Sequence, residues 1–171
     1  IALDALVCAT GYDALTGAVM AIDIRGRQGQ RLRDKWAQGP RTLLGLMTAG
    51  FPNLFIITGA GSPSVLVNMI VGIEHHVQWI AQCLGHLRSQ GMATMEASVP
   101  AEDRWVEHVN AAANRTLLPL ANSWFLGANI PGKPRVFMPY AAKIGVYRRE
   151  CQEVADKGYE GFILTPAEAL A

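Results

Sequence analysis

The residues with chemistry to offer gather at a glycine turn. Gly59-Ala60-Gly61-Ser62-Pro63-Ser64 follows an apolar run at residues 54–58. It opens a long segment in which Leu66, Met69, Ile73, Val77, Ile80, Leu84 and Leu87 recur at three- and four-residue steps. This reads as buried strand, tight turn and amphipathic helix, with Ser62 as N-cap, Pro63 in the first turn and the apolar stripe facing a core. A helix start carries amides without intrahelical partners and the positive end of the macrodipole. An electron-rich group is therefore favoured there: a phosphate, a carboxylate or a flavin carbonyl. Gly59 and Gly61 match the first two glycines of G-x-G-x-x-G, but Ser64 replaces the third, and no strand ending in an acidic residue follows about 20 positions on. The turn is thus read as another kind of cofactor contact or a plain strand-to-helix corner.

Other chemistries are weaker. Ser62 and Ser64 suggest a nucleophile elbow, but the closing glycine of G-x-S-x-G is missing. His75 and His76 are adjacent and point to different helix faces, so they cannot make the i, i+4 pair of a helical zinc site, and no metal site is expected. His86 reads as solvated beside Arg88, and Glu102, Asp103 and Glu107 as one face of a helix. The cations Arg25, Arg27, Arg31, Arg33 and Lys35 alternate with Asp23 and Asp34, which suits a solvated loop better than a phosphate patch. Trp124 lies in a Gly-, Pro- and Asn-rich loop, residues 122–135, where it could cover a planar ligand or plug a core. No catalytic constellation is complete in these residues.

The totals narrow the class. With 171 residues, half of them apolar, the chain can bury a core as one domain or as a piece of a larger one. The net charge of +1, acids and bases interspersed, gives no footprint for nucleic acid or an anionic membrane. Three distant cysteines without C-x-x-C point to a reducing compartment, the cytoplasm. The most apolar window, residues 54–73, is broken by glycines, Pro63 and Asn68, and reads as no membrane span.

The elements that must position the turn are read as α/β. Residues 1–10 read as a buried strand already under way at Ile1, and residues 12–39 as turns or a short hairpin before a brief helix at 32–37. Residues 42–48 form a second strand, and 54–58 the one before the turn. A second helix follows Ser98 and Pro100, with Trp105, Val109, Ala112 or Ala113, and Leu117 as its buried stripe. A third helix at 141–157 and a final strand at 159–165 precede a frayed tail.

Ala9-Thr10-Gly11-Tyr12-Asp13, Asp23-Ile24-Arg25-Gly26, Gly39-Pro40-Arg41-Thr42 and Gly50-Phe51-Pro52-Asn53-Leu54-Phe55 stand in order ahead of the turn. Gly61-Ser62-Pro63-Ser64, Asn68-Met69, Asp103-Arg104-Trp105, Ser123-Trp124, Gly127-Ala128-Asn129 and Gly132-Lys133-Pro134-Arg135 follow. In sequence and spacing these motifs resemble the carboxyl-terminal part of Baeyer-Villiger monooxygenases, in the flavin-containing monooxygenase superfamily. Those acting on ketones of aryl or steroid bulk look most alike. The resemblance implies FAD and NADPH as cofactors, and a ketone and O2 as substrates, with one oxygen atom inserted beside the carbonyl to give an ester or lactone. It implies that residues 1–11 are the last strand and linker of an NADP-binding domain. Residues 12–171 would be the carboxyl-terminal half of an FAD-binding, Rossmann-like domain with a long helix.

Carried over by motif, Met69 lies against FAD with Asn68 and Ser62 nearby, and Trp124 contacts NADP. Ser64, Val65, Leu66 and Met69 shape the ketone pocket, where Val65 is bulkier than the resemblance leads one to expect. The family's two glycine fingerprints, its F-x-G-x-x-x-H-x-x-x-W signature and its catalytic arginine all belong upstream of Ile1. The chain alone is therefore expected to be an inactive fragment whose partner is the missing amino-terminal part of the same enzyme. Two other readings stand beside it: a non-catalytic α/β module that binds a ligand or partner, and a related flavin monooxygenase that oxidises nitrogen or sulfur.

Overall fold

The structure is a computed structural model that describes residues 4–8 and 11–170. In chain order the elements are α1 (Gly17–Met20), α2 (Leu32–Lys35), α3 (Met69–Ser89), β1 (Met92–Ala97), α4 (Val99–Ala113), α5 (Ile144–Asp156) and β2 (Phe162–Pro166). Single 3-10 turns stand at Arg27–Gly29, Ser64–Leu66, Leu118–Leu120, Trp124–Leu126 and Ala167–Leu170. Among the described residues the sheet is one antiparallel pair, β1 against β2, with Glu96 opposite Ile163 and Ala97 opposite Phe162. The architecture is mixed α/β, with long helices around a short sheet. β2 falls on the expected final strand. β1 was not legible: it is short, and its fifth residue is the buried acid Glu96.

Two expected strands are loops instead. Within residues 42–48 the chain reverses, because Leu44 and Gly45 take φ of 59° and 70°. Leu43 and Met47 then bridge, the Leu43 amide donating to the Met47 carbonyl at 2.8 Å. Residues 54–58 have no ladder either. The Ile56 amide reaches back to the Leu46 carbonyl at 2.8 Å, and Thr58 turns the chain with φ of 54°. Apolar runs of this length suit a strand by composition, but left-handed residues cannot continue a pleat. Of the expected amino-terminal strand, residues 4–8 are exposed and outside any strand, whereas residues 1–3, 9 and 10 lie outside the described residues. The hairpin and brief helix expected before residue 39 are present as the Arg25–Arg31 bridge and α2.

The face of α3 turned inward differs from the expected one. Its buried residues are Gly72, His76, Trp79, Cys83 and Leu87. Of the predicted stripe only Leu87 is buried, whereas Ile73, Val77 and Leu84 are exposed, Val77 by 49%. Both stripes keep helical spacing, and the more apolar one lost because Trp79 carries the larger ring into the core and His76 finds partners there. Trp79 and Cys83 pack with Met95 of β1, Trp105 and Val109 of α4, and Tyr147 and Cys151 of α5, under the 43–47 reversal. On α4, Trp105, Val109 and Ala113 are buried as expected, but Leu117 lies past the helix end and is 80% exposed. His86 leans on the Tyr159 ring, centroids 5.0 Å apart, rather than standing free in solvent.

Two carboxylates are interior posts: Glu102, read from the sequence as part of a helix face, and Glu96. Glu102 is buried, accepts from Lys35 Nζ at 2.9 Å and Thr48 Oγ1 at 2.9 Å, and takes the Ala49 amide at 2.8 Å. Glu96 accepts from Arg27 Nε at 2.6 Å and from the Gly50 amide at 3.0 Å. Both hold the loop that carries residues 48–50. Four of the five cations of the basic stretch are thereby paired with acids, since Arg25 and Arg31 also lie 2.9 and 3.8 Å from Asp23.

Removing one partner of a buried, hydrogen-bonded ion pair leaves the other charge uncompensated. Glu102→Ala is therefore expected to lower unfolding free energy by roughly 3–5 kcal/mol in urea titration; a change within error of zero would mean that Lys35 finds water instead. His76, 1% exposed, gives a second test. Burial, with the neighbouring His75 charge adding to it, holds its imidazole down at about 4. Below pH 6.5 the unfolded chain takes up a proton that the folded chain refuses until about pH 4. The contribution of this group is therefore intact above pH 6.5, and roughly 3 kcal/mol is lost as pH falls through that window. Urea midpoints at pH 7 and pH 4.5 should diverge less in His76→Asn, and equal divergence would rule out a neutral buried imidazole.

Candidate cofactor site at the glycine-serine turn

The turn at residues 58–62 is held by its own protein on every side. The Thr58 amide donates to His76 Nδ1 at 2.9 Å, and the Ser62 amide and hydroxyl both donate to the Gly59 carbonyl, at 3.1 and 2.8 Å. Thr42 Oγ1 donates to the Ala60 carbonyl at 2.6 Å, and Trp105 Nε1 to the Gly61 carbonyl at 2.9 Å. The Gly61 amide reaches the Met138 carbonyl and the Tyr140 amide the Ser62 carbonyl, each at 2.7 Å. Gly61 has φ of 88°, and a Cβ there would sit 2.7 Å from Thr42 Oγ1. Only glycine permits that approach.

This accounting changes the expected chemistry. The amides that a phosphate would need at Gly61 and Ser62 are spent inside the fold, so a pyrophosphate cradle is excluded at those two positions. Ser62 is fully buried and closes the turn rather than capping a helix. The helix begins later: Asn68 caps α3, its side-chain oxygen taking the Ile70 and Val71 amides at 3.1 and 3.5 Å.

Between turn and helix, Ser64–Leu66 forms a one-turn bulge. Ser64 is 4% exposed, sits at φ of 44°, and its buried hydroxyl has no partner. Val65 is exposed, Leu66 and Met69 are half-buried, and Asn68 is exposed. A strained residue with an unpaired buried hydroxyl marks a place where a missing partner belongs. Beside it lie apolar groups suited to a flat ring. A flavin ring fits this donor set, with Ser64 offering one polar contact and Val65 and Met69 apolar surface.

The tryptophan loop is tied to the same corner through residues 136–140. The Val136 and Met138 amides donate to the Leu126 and Phe125 carbonyls at 3.3 and 2.9 Å, while Met138 and Tyr140 hold Gly61 and Ser62. Leu66 of the bulge packs on Ala113, Leu126 and Phe137, the cluster that Phe125 also joins. Trp124 is 36% exposed with its ring 4.4 Å from that of Phe125, so it is not a core plug. The far side of the loop is pinned as well. Lys133 Nζ bonds Asp13 and donates to Thr16 Oγ1 at 2.7 Å, and Asn129 donates to the Tyr12 carbonyl at 3.1 Å. A cleft of about 270 Å³ opens there, lined by Asp13, Thr16, Trp36, Ile130, Lys133 and Val136.

The structure thus brings Ser62, Ser64, Val65, Leu66, Asn68 and Met69 onto one continuous stretch and connects Trp124 to it by packing and backbone ties. Sequence reasoning missed Thr42, His76, Trp105, Tyr140 and Tyr147, which hold the stretch. Their signal was the second helical stripe on α3 and aromatic residues with a polar tip. Cys83 and Cys151 are free, and burial pushes both thiols up to about 12, so neither is a nucleophile near neutral pH. Among the described residues no helix is long and apolar enough to cross a membrane.

No protein-family model matches the chain. Individual proteins do. It is 41% identical to acetone monooxygenase (methyl acetate-forming) of Gordonia sp. (strain TY-5) over 164 residues, 95% of this chain and 31% of that protein. It is 42% identical to a Baeyer-Villiger monooxygenase of Pseudooceanicola batsensis over 161 residues, 94% of this chain and 29% of that one. A phenazine N-monooxygenase of Lysobacter antibioticus is 38% identical over 162 residues, covering 95% of this chain and 30% of its own length. Among solved structures, oxidised steroid monooxygenase bound to NADP superposes with a TM-score of 0.85 at 47% identity, over 92% of this chain and 29% of that one. OTEMO in complex with FAD and NADP superposes with a TM-score of 0.82 at 38% identity, over 92% and 29%. The chain spans about three-tenths of the length of the relatives it matches. Over nearly all of its residues, then, this chain is similar to about three-tenths of the length of Baeyer-Villiger-type monooxygenases.

Proposed function

We propose that the chain is the carboxyl-terminal part of an FAD- and NADPH-dependent Baeyer-Villiger monooxygenase that works in the cytoplasm. The reaction inserts one atom of O2 beside the carbonyl of a ketone of aryl, steroid or similar bulk, giving an ester or lactone. The observation that carries this reading is the glycine-serine corner. Its Thr58, Gly61 and Ser62 amides are engaged, the buried Ser64 hydroxyl is unpaired, and apolar side chains flank it, in a chain whose relatives include a Baeyer-Villiger monooxygenase. FAD, when bound, supplies the oxygen-transfer chemistry. This chain's residues do the positioning. Met69 and Asn68, with Ser62 acting through the turn it closes, contact FAD, and Trp124 covers NADP. Ser64, Val65, Leu66 and Met69 border the ketone.

The domain division follows the same reading. Residues 1–11 belong to the end of an NADP-binding domain and 12–171 to an FAD-binding one. The polypeptide by which relatives exceed this chain supplies the remaining walls and the catalytic groups. A nitrogen-oxidising flavin monooxygenase is the second reading, favoured by the phenazine N-monooxygenase relative. Incubating the complete protein with NADPH and either an aryl ketone, an N-heterocycle or a sulfide separates them: ester formation supports the first, and N-oxide or sulfoxide formation without ester the alternative.

Two substitutions in the complete enzyme test the residue assignments. Trp124→Ala is expected to raise the KM for NADPH about tenfold, the loss of one aromatic contact, with FAD still bound. Unchanged NADPH kinetics would take Trp124 out of the site. Met69→Gly removes a side chain at the flavin-substrate boundary and is expected to change the ratio of products from a panel of ketones. An identical product ratio would displace Met69 from that boundary.

A further inference from the structure

His76 of α3 and Tyr147 of α5 are both buried, and together they grip two backbone reversals, at Leu44 and Thr58. The Thr58 amide donates to His76 Nδ1 at 2.9 Å, which fixes the neutral tautomer with its proton on Nε2. That Nε2–H then donates to the Tyr147 hydroxyl at 2.8 Å, and the hydroxyl donates to the Leu44 carbonyl at 2.6 Å. The relay runs one way, from the peptide at Thr58 to the peptide at Leu44, with each group used. Both end residues are left-handed without being glycine, Thr58 at φ 54° and Leu44 at φ 59°. Such conformations cost energy and persist only where the surroundings impose them.

The two reversals also touch. A Cβ on Gly45 would lie 2.4 Å from the Ser62 amide nitrogen, and one on Gly59 would lie 2.5 Å from the Gly45 carbonyl oxygen. Gly45 is therefore the floor on which the glycine-serine turn rests, next to the Leu44 carbonyl where the relay ends. We infer that His76 and Tyr147 are positioning residues that clamp the 44–45 and 57–58 peptides together and so set where the turn presents Ser64 and the start of α3 to the flavin ring. This rests on the FAD reading above. Their hydrogen bonds go to Thr58, to each other and to Leu44, and they act through those residues and Gly45.

The relay also orders the effects of substitution. An asparagine at position 76 carries its carbonyl oxygen where Nδ1 stands and can still accept from Thr58, although it falls short of Tyr147. A leucine accepts nothing. Phenylalanine at 147 keeps the ring in the core while leaving the Leu44 carbonyl and His76 Nε2–H unpaired.

The test uses the FAD-loaded full-length protein with His76→Asn, His76→Leu and Tyr147→Phe, reading amide exchange at Thr58, FAD affinity and the visible flavin spectrum. The clamp requires Thr58 exchange to rise about tenfold in His76→Leu, as for the loss of one buried hydrogen bond. FAD affinity should weaken and the flavin bands shift in His76→Leu and Tyr147→Phe, with His76→Asn restoring both towards the native values. Faster exchange at Thr58 with native affinity and an unshifted spectrum overturns the positioning role, as does a loss in His76→Asn equal to that in His76→Leu. Should His76→Leu fail to fold, Tyr147→Phe and His76→Asn carry the same comparison. A full-length protein without flavin refutes the function proposed above; exchange at Thr58 then shows by itself whether the clamp exists.

Discussion

A buried loop must find partners for its peptide groups without a helix or a ladder to supply them, and that constraint shapes this molecule. Residues 42–62 are such a loop: much of it is buried, irregular, and bent by left-handed residues at Leu44, Asn53 and Thr58. Besides a few backbone bonds, many of its peptide groups are met by side chains. Thr42, His76, Trp105 and Ser62 serve the turn, Tyr147 serves Leu44, and Glu96 and Glu102 take the Gly50 and Ala49 amides. An unpaired buried peptide group costs roughly 1–3 kcal/mol, so these bonds are worth more as prevention than as net attraction. The helices act here as racks for side chains that end the loop's hydrogen bonds.

The same logic explains the buried charges. Glu96 and Glu102 each combine an ion pair with a backbone amide, which compensates the carboxylate more fully than a lone cation would. Asn53 does a neutral version of this work at the free edge of β1. Its amide and side chain pair with Met95 and Ala93 at 2.9, 3.0 and 3.1 Å, giving a strand edge the partners that a third strand would give. One left-handed asparagine thus both turns the chain and covers an edge.

Local signals in the sequence were sufficient for the start of α4, for α5 within a few residues and for β2 within three. They failed where tertiary contacts overrode composition. TLLGLMT and LFIIT have strand composition, but the left-handed conformation of Leu44 and Thr58 is set by Tyr147 and His76, residues 103 and 18 positions away. On α3 the apolar stripe through Ile73 and Val77 was plain, and the buried stripe through His76 and Cys83 was hidden because a histidine reads as polar until its partners are known. The site stretch from Ser62 to Met69 was visible as a turn before a helix. Its cap was misplaced by six residues, since Ser62-Pro63 imitates a helix start and Asn68 supplies the real one.

These differences bear on how the corner could serve a cofactor. A turn with spare amides would bind any anion; this one has spent the Gly61 and Ser62 amides and keeps a single unpaired hydroxyl at Ser64. Selectivity then comes from shape, which is why rigidity matters more here than charge. The tryptophan loop is built the other way. It is pinned at Asn129 and Lys133 on one side and through residues 136–140 on the other, while Trp124 between them is 36% exposed with its ring beside that of Phe125. A part-exposed ring keeps a face for a ligand, whereas the turn cannot move without breaking several buried bonds at once. Under the proposed function, the fixed turn suits the cofactor that stays and the part-exposed ring suits the one that comes and goes.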